Sequence, residues 1–173
     1  MKGRLLVFIG ASVIFLLSAS MLSAQDDIHK QGSCKYCGMN LEQYGHSRML
    51  ITYDDNTETG VCSIHCAAID LAINLDKTPK SIQVGDYNTK KLIDAEQASW
   101  VIGGNKPGVM TKRGKWAFEK KADAETFIKD NGGSAASFNE AIKAAYEDIY
   151  ADTQMIREKR KMKKMKMQMP DKK

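Results

Sequence analysis

Two cysteine pairs constrain this 173-residue chain more than any other feature: "CKYCGMN" at residues 34–40 and "CSIHC" at 62–66. The 24 residues between Cys37 and Cys62 are enough for a β-hairpin, which would bring the two pairs together. C-x2-C lets two thiolates reach one ion from a tight turn, and Gly38 favours that turn. C-x3-C at the start of a helix puts Cys62 and Cys66 near one helix end, where the partial positive charge favours thiolate. A four-sulfur tetrahedral site is then geometrically easy, and His65 adds an imidazole beside Cys66. Three fates compete for these sulfurs: two disulfides, a structural Zn(II) site, or a Cu(I) site.

The start of the chain bears on that choice. Lys2 and Arg4 precede an almost wholly apolar run from Leu5 to Leu17, and small residues follow at Ser18, Ala19, Ser20, Ser23 and Ala24. This is the layout of a secretory signal over residues 1–24, shorter than the roughly 20 apolar residues a membrane span needs. A periplasmic, oxidising address is expected, with an uncleaved, membrane-associated N-terminus as the alternative. Export favours disulfides in small domains and works against four thiols kept free for zinc. Met39 tips the balance toward Cu(I), because a thioether is a poor zinc ligand and a good copper(I) ligand.

The net charge of +5 hides a division. Residues 157–173 hold nine Lys/Arg against two Asp/Glu, a local +7. Without that tail and the leading Lys2 and Arg4, 15 basic face 19 acidic residues. The body is therefore mildly acidic and has no basic stripe interleaved with aromatics, so nucleic acid is not an expected partner. The tail is also rich in thioethers. Met155, Met162, Met165, Met167 and Met169 fall within fifteen residues, with no Leu, Ile or Val after Ile156. Capture of Cu(I) and docking of a Met-rich amphipathic helix on a partner or lipid are both compatible with this pattern.

The chain between these ends reads as an α+β domain of two ββαβ-type units with small antiparallel sheets, followed by a C-terminal helix and the basic Met-rich tail. Residues 25–33 read as a flexible leader and 34–136 as the metal-binding domain. "SRMLITYDD" (47–55) and "TETGVCS" (57–63) form a hairpin, "IHCAAIDLAINL" (64–75) a helix capped by Ser63, and "KSIQVGDY" (80–87) a strand. The second unit repeats the order: "ASWVIGG" (98–104) and "GKWAFEK" (114–120) are strands, with Trp116 and Phe118 on one face. "DAETFIKDNGG" (123–133) is a helix closed by glycines, and "SAASF" (134–138) a short strand. From residue 137 to 156 the pattern is helical, with Phe138, Ile142, Ala145 and Ile149 in a stripe; the tail beyond is an exposed or frayed helix.

Catalysis is not expected, and a thiol–disulfide oxidoreductase is the minor alternative. The C-x2-C pair does not follow a strand or open a helix, as it does in thioredoxin-like oxidoreductases. His29 and His46 have no nucleophile beside them and default to the solvated surface. "GGNKPG" (103–108) reads as a hairpin turn rather than a phosphate-binding loop.

"CGMNL" (37–41), "WVIGG" (100–104), "GKWAFEKKADAETFIKDNGG" (114–133) and "SFNEA" (137–141) together resemble the NosL family, in matching order from about Cys34 to Tyr146. The resemblance implies a two-part ββαβ fold in an exported Cu(I)-binding accessory protein that supports copper delivery to periplasmic nitrous-oxide reductase. It further implies Cu(I) on Cys37 and Met39, with Cys34 as the preceding ligand. "CSIHC" suggests a sulfur-richer site in which Cys62, Cys66 and His65 add ligands. The implied partner is a copper-receiving apo-enzyme or assembly factor. The tail lies outside the resemblance, and its charge suits an acidic partner or an anionic membrane surface.

Overall fold

The computed structural model describes residues 26–168; the expected signal segment, Met169 and Pro170 lie outside them. Helix α1 (Asp26–Gln31) leads into strands β1 (Met49–Tyr53) and β2 (Glu58–Val61), helix α2 (Ile64–Ile73), and strands β3 (Pro79–Gly85) and β4 (Leu92–Asp94). The second unit follows with β5 (Ser99–Ile102), β6 (Lys115–Phe118), α3 (Lys121–Asn131) and β7 (Ser134–Ala136). Helix α4 (Phe138–Gln168) closes the described chain. The strands form two antiparallel sheets, β2-β1-β3-β4 and β6-β5-β7, so each unit contains the expected ββαβ order.

The hairpin β1–β2 turns where Asn56 takes a left-handed φ of 63°, a conformation Asn tolerates better than most residues. Asp55 braces the turn by accepting from the Thr57 backbone N–H and hydroxyl. β1 is one of the two inner strands of its sheet, buried along its length except at Thr52. In the second unit, Trp116 and Phe118 share a face, as period-2 alternation requires. Both rings pack with Tyr87 and Phe127, at centroid distances of 5.4–6.2 Å. Helix α3 ends at Gly132, whose φ of 74° no side-chain-bearing residue adopts cheaply.

Backbone bonds tie the units into one core. The Tyr87 N–H donates to the Ala117 carbonyl at 2.8 Å, and the Glu119 N–H donates to the buried Asp86 carboxylate at 2.9 Å. Helix α4 lies across both units, touching α2 on one side and β5 on the other, with Phe138 and Trp100 rings 5.9 Å apart.

Two expectations need correction, and a third is narrowed. The leader at 25–33 is not loose: residues 26–31 form α1. Asp27 on α1 holds the fully buried Arg48 guanidinium through two bonds of 2.6 and 3.0 Å, and Arg48 also donates to the Gly45 and Lys90 carbonyls. An arginine sealed in the core needs a counter-charge, and the leader supplies it. The stretch past residue 156, expected as an exposed helix or frayed tail, is an exposed helix that runs to Gln168. It has no Gly or Pro and is built from Lys, Arg, Met, Gln and Glu, all good helix formers. Ser63 occupies the N-cap position of α2, yet its side chain makes no capping bond. A capping box does form at α4, where Ser137 Oγ accepts from the Glu140 N–H and the Glu140 carboxylate accepts from the Ser137 N–H. Among the described residues, no helix is long and apolar enough to cross a membrane.

Candidate metal centre

The first cysteine pair sits on a loop between α1 and β1. Gly38, at φ 74°, makes the turn possible; the Cys34 N–H bonds the Met39 carbonyl at 2.8 Å, and the Gly38 N–H bonds the Cys34 carbonyl at 2.9 Å. The Lys35 N–H reaches the Gly60 carbonyl, pinning the loop to β2. Cys62 immediately follows β2 and Cys66 lies in the first turn of α2. The hairpin thus returns the chain to its own beginning, and all four sulfurs come within 4.8 Å of one another. Cys37 Sγ lies 3.4 Å from Cys62 Sγ, and Cys62 Sγ lies 3.8 Å from Cys66 Sγ. All four are free thiols. An ion bound tetrahedrally at about 2.3 Å from each sulfur would set sulfur pairs about 3.8 Å apart, so this cluster is already close to a coordination shell.

Cys34, Cys62 and Cys66 are buried, whereas Cys37 is half-exposed. Crowding divides the thiols. Bonds from Cys37, Cys62 and Cys66 pull the Cys34 thiol far below the ordinary thiol value. Cys37 is drawn down to about 7: the neighbouring Cys34 sulfur pushes it up, but bonds from Cys62, Cys66 and the Met39 backbone prevail. Cys62 and Cys66 are pushed up, chiefly by donating to the Cys34 and Cys37 sulfurs and further by burial. The pocket stabilises some negative charge but resists full ionisation. A cation that replaces the shared protons would relieve this.

Around the sulfurs, Asp70 is the main brace. This fully buried carboxylate on α2 accepts from the Tyr36 and Tyr53 hydroxyls and pairs with Lys35 Nζ at 3.2 Å. It therefore ties the C-x2-C loop to the helix that carries Cys66.

The other expected ligands are distributed differently. His65 does not join the cluster. Its Nδ1 lies 3.7 Å from Asp152 Oδ2 of α4, both groups are buried, and the Asp152 Oδ1 accepts from the Lys112 N–H. Burial lowers the His65 pKa and favours neutral imidazole. Met39 faces a cleft of about 660 Å³ beside Cys37, together with His46, Met110 and Met155. His46 is not a solvated surface residue: its ring packs 5.8 Å from Tyr87 and 5.9 Å from Trp116, and burial lowers its pKa. Met110, two residues past the stretch read as a turn, is a cleft residue with no periodic signal around it to mark it.

The fold and site define a small α+β protein of two ββαβ units, in which a hairpin and a helix gather four thiols beside an open cleft. The NosL family profile matches residues 25–146, and the chain belongs to that family. A solved structure with the same fold is the copper chaperone NosL from Shewanella denitrificans, 24% identical, with a TM-score of 0.55 over 65% of this chain and 90% of that one. No curated protein matches the chain.

Proposed function

We propose that this protein is an exported, periplasmic copper(I) chaperone that receives Cu(I) on its cysteine cluster and passes it to a copper-requiring enzyme such as nitrous-oxide reductase, or to an assembly factor for one. The observation that carries this reading is a four-thiol cluster with three sulfurs sealed and one, Cys37, open to a cleft. A cargo ion needs sulfur ligands strong enough to hold it and one edge from which a recipient's ligand can enter. Membership of the NosL family and the copper-chaperone neighbour support the choice of metal. Cys34, Cys37, Cys62 and Cys66 hold the ion in this reading, and Met39 is the thioether on the open side. His65 stands apart from the ion, buried beside Asp152 of α4. Transfer proceeds by ligand exchange rather than catalysis, and the basic outer half of α4 faces an acidic surface on the recipient.

Four thiols within 4.8 Å of one another also suit a second reading, a structural Zn(II) site. Anaerobic titration of the reduced protein with Cu(I) and with Zn(II), each against a competing chelator, separates the two. Tight Cu(I) binding with sulfur charge-transfer absorption, lost in Cys37→Ser, is the expected result. Zinc that copper cannot displace would overturn it. Thiol counting on the metal-free protein as isolated reveals disulfides if the cysteines have oxidised.

A further inference from the structure

The cleft beside Cys37 contains more soft ligands than the cysteine cluster uses, and one comes from outside the family-matched segment. Met39 and Met110 line it from two loops, and Met155 lines it from α4, beyond residue 146 where the family match ends. Met162, seven residues on, returns to the face of Met155 about 10 Å further along the axis, and Met165 follows one turn later, about 80° round from Met155 in a groove with Arg160, Lys161 and Lys164. Both are large apolar side chains left in solvent, 57% and 46% exposed, among lysines. No branched aliphatic follows Ile156, so this face lacks the residues that helix packing usually recruits.

We propose that Met155, Met162 and Met165 form a thioether route along α4 by which Cu(I) travels between solvent and Cys37, with Met39 and Met110 facing Met155 across the cleft. The inference rests on the copper reading above and adds a path to it. Thioethers are neutral, soft and weakly binding, so they select Cu(I) over Zn(II) and release it to a thiolate. Each step exchanges ligands without redox change. At the last, a copper–thioether bond breaks as the copper–Sγ bond to Cys37 forms; copper remains Cu(I) and any thiol proton leaves to water. Lys159 and Arg160 stand at the mouth of the cleft and disfavour a bare cation. The ion therefore arrives as an anionic complex, and the ligands of that complex are left outside.

The test uses the full chain, anaerobic and reduced, with methionine methyl groups labelled with carbon-13 and Cu(I) supplied as its anionic bis(bicinchoninate) complex. The variants are Met155→Leu, Met162→Leu/Met165→Leu and Cys37→Ser; Met→Leu conserves volume and leaves the fold intact. In Met155→Leu, transfer from the chelate should slow by about tenfold, the lower end of what losing a metal-supporting group costs. The final Cu(I) stoichiometry and its resistance to chelator should not change. In Cys37→Ser, the Met155 methyl signal should still shift on addition of Cu(I). Unchanged loading rates together with unmoved methyl signals would overturn the route. If the wild type holds no chelator-resistant Cu(I) yet the methionine methyls shift, the thioether site stands and the cysteine reading fails. If neither occurs, both fail.

Discussion

Cys37 is the one sulfur of the cluster that solvent reaches, and its thiol is drawn down to about 7. In the metal-free reduced protein, Cys37 should therefore be the first cysteine alkylated by iodoacetamide, with its rate rising to half-maximum near pH 7. Mass spectrometry across a pH series tests this; a midpoint above pH 8.5 would mean that its neighbours do not support the thiolate. Asp70 offers a second test. Asp70→Ala leaves the buried Tyr53 phenol, the half-buried Tyr36 phenol and Lys35 without their acceptor, and should cost about 3 kcal/mol by denaturant unfolding. It should also loosen the loop that carries Cys34 and Cys37. The cysteines were legible from spacing alone, because a hairpin between two pairs can end in few other ways. His65 was not, for a simple geometric reason. Neighbours on a helix point about 100° apart, so a histidine adjacent to Cys66 faces another side of α2, here toward Asp152. Nor was His46, whose burial depends on rings supplied from residues 87 and 116.

At the scale of elements, strands and helices with strong periodicity emerged where expected, and α3 ended at its glycines. The three residues of β4 carried too little pattern to find, and pairing with β3 defines them. The leader looked polar and unstructured because its one structural role, neutralising Arg48, belongs to a partner 21 residues away. Asp27→Ala should thus destabilise the protein by about 3 kcal/mol, as loss of one member of a buried ion pair does, although it changes a residue of a short terminal helix. Helix α4 is fastened by a similar device. Asp148 accepts from Arg113 at 2.9 Å and from Lys115, whose side chain is 1% exposed, at 2.7 Å. Burial alone would raise the Asp148 pKa, but these two cations outweigh it and hold it below the usual carboxylate range. The contribution is fully present above the unfolded value near 3.8 and is lost as pH falls through the lower folded value. Stability should therefore fall below about pH 4 less steeply in Asp148→Asn than in the wild type, as read by thermal melts from pH 2 to 6.

Across the whole molecule, an acidic body carries a basic rod. Helix α4 is about 46 Å long at 1.5 Å per residue. Its first half is buried against α2 and β5, while its outer half extends charged and exposed. If that half meets an acidic recipient, copper transfer should slow as ionic strength rises from 10 to 500 mM, whereas Cu(I) affinity should not change. Transfer rates measured against salt, beside chelator competition at the same salts, would show a parallel fall in both if the charge serves the site rather than the encounter. The division into two ββαβ units was legible; their joining through Tyr87, Asp86, Ala117 and Glu119 was not, because those bonds are set only when the sheets meet.

All four cysteines lie between residues 34 and 66, within the first unit, while the second unit contributes none. An ion in the cluster would cross-link one contiguous fifth of the chain, residues 34–66, and leave the rest untouched. Its binding energy then shows as a gradient in amide hydrogen exchange: the hairpin β1–β2 and the start of α2 slow by the full factor that occupancy imposes, and α3 and β7 slow only as far as the two units unfold together. The steepness of that gradient measures how strongly the halves are coupled, so a bound ion doubles as a gauge of the protein's own cooperativity.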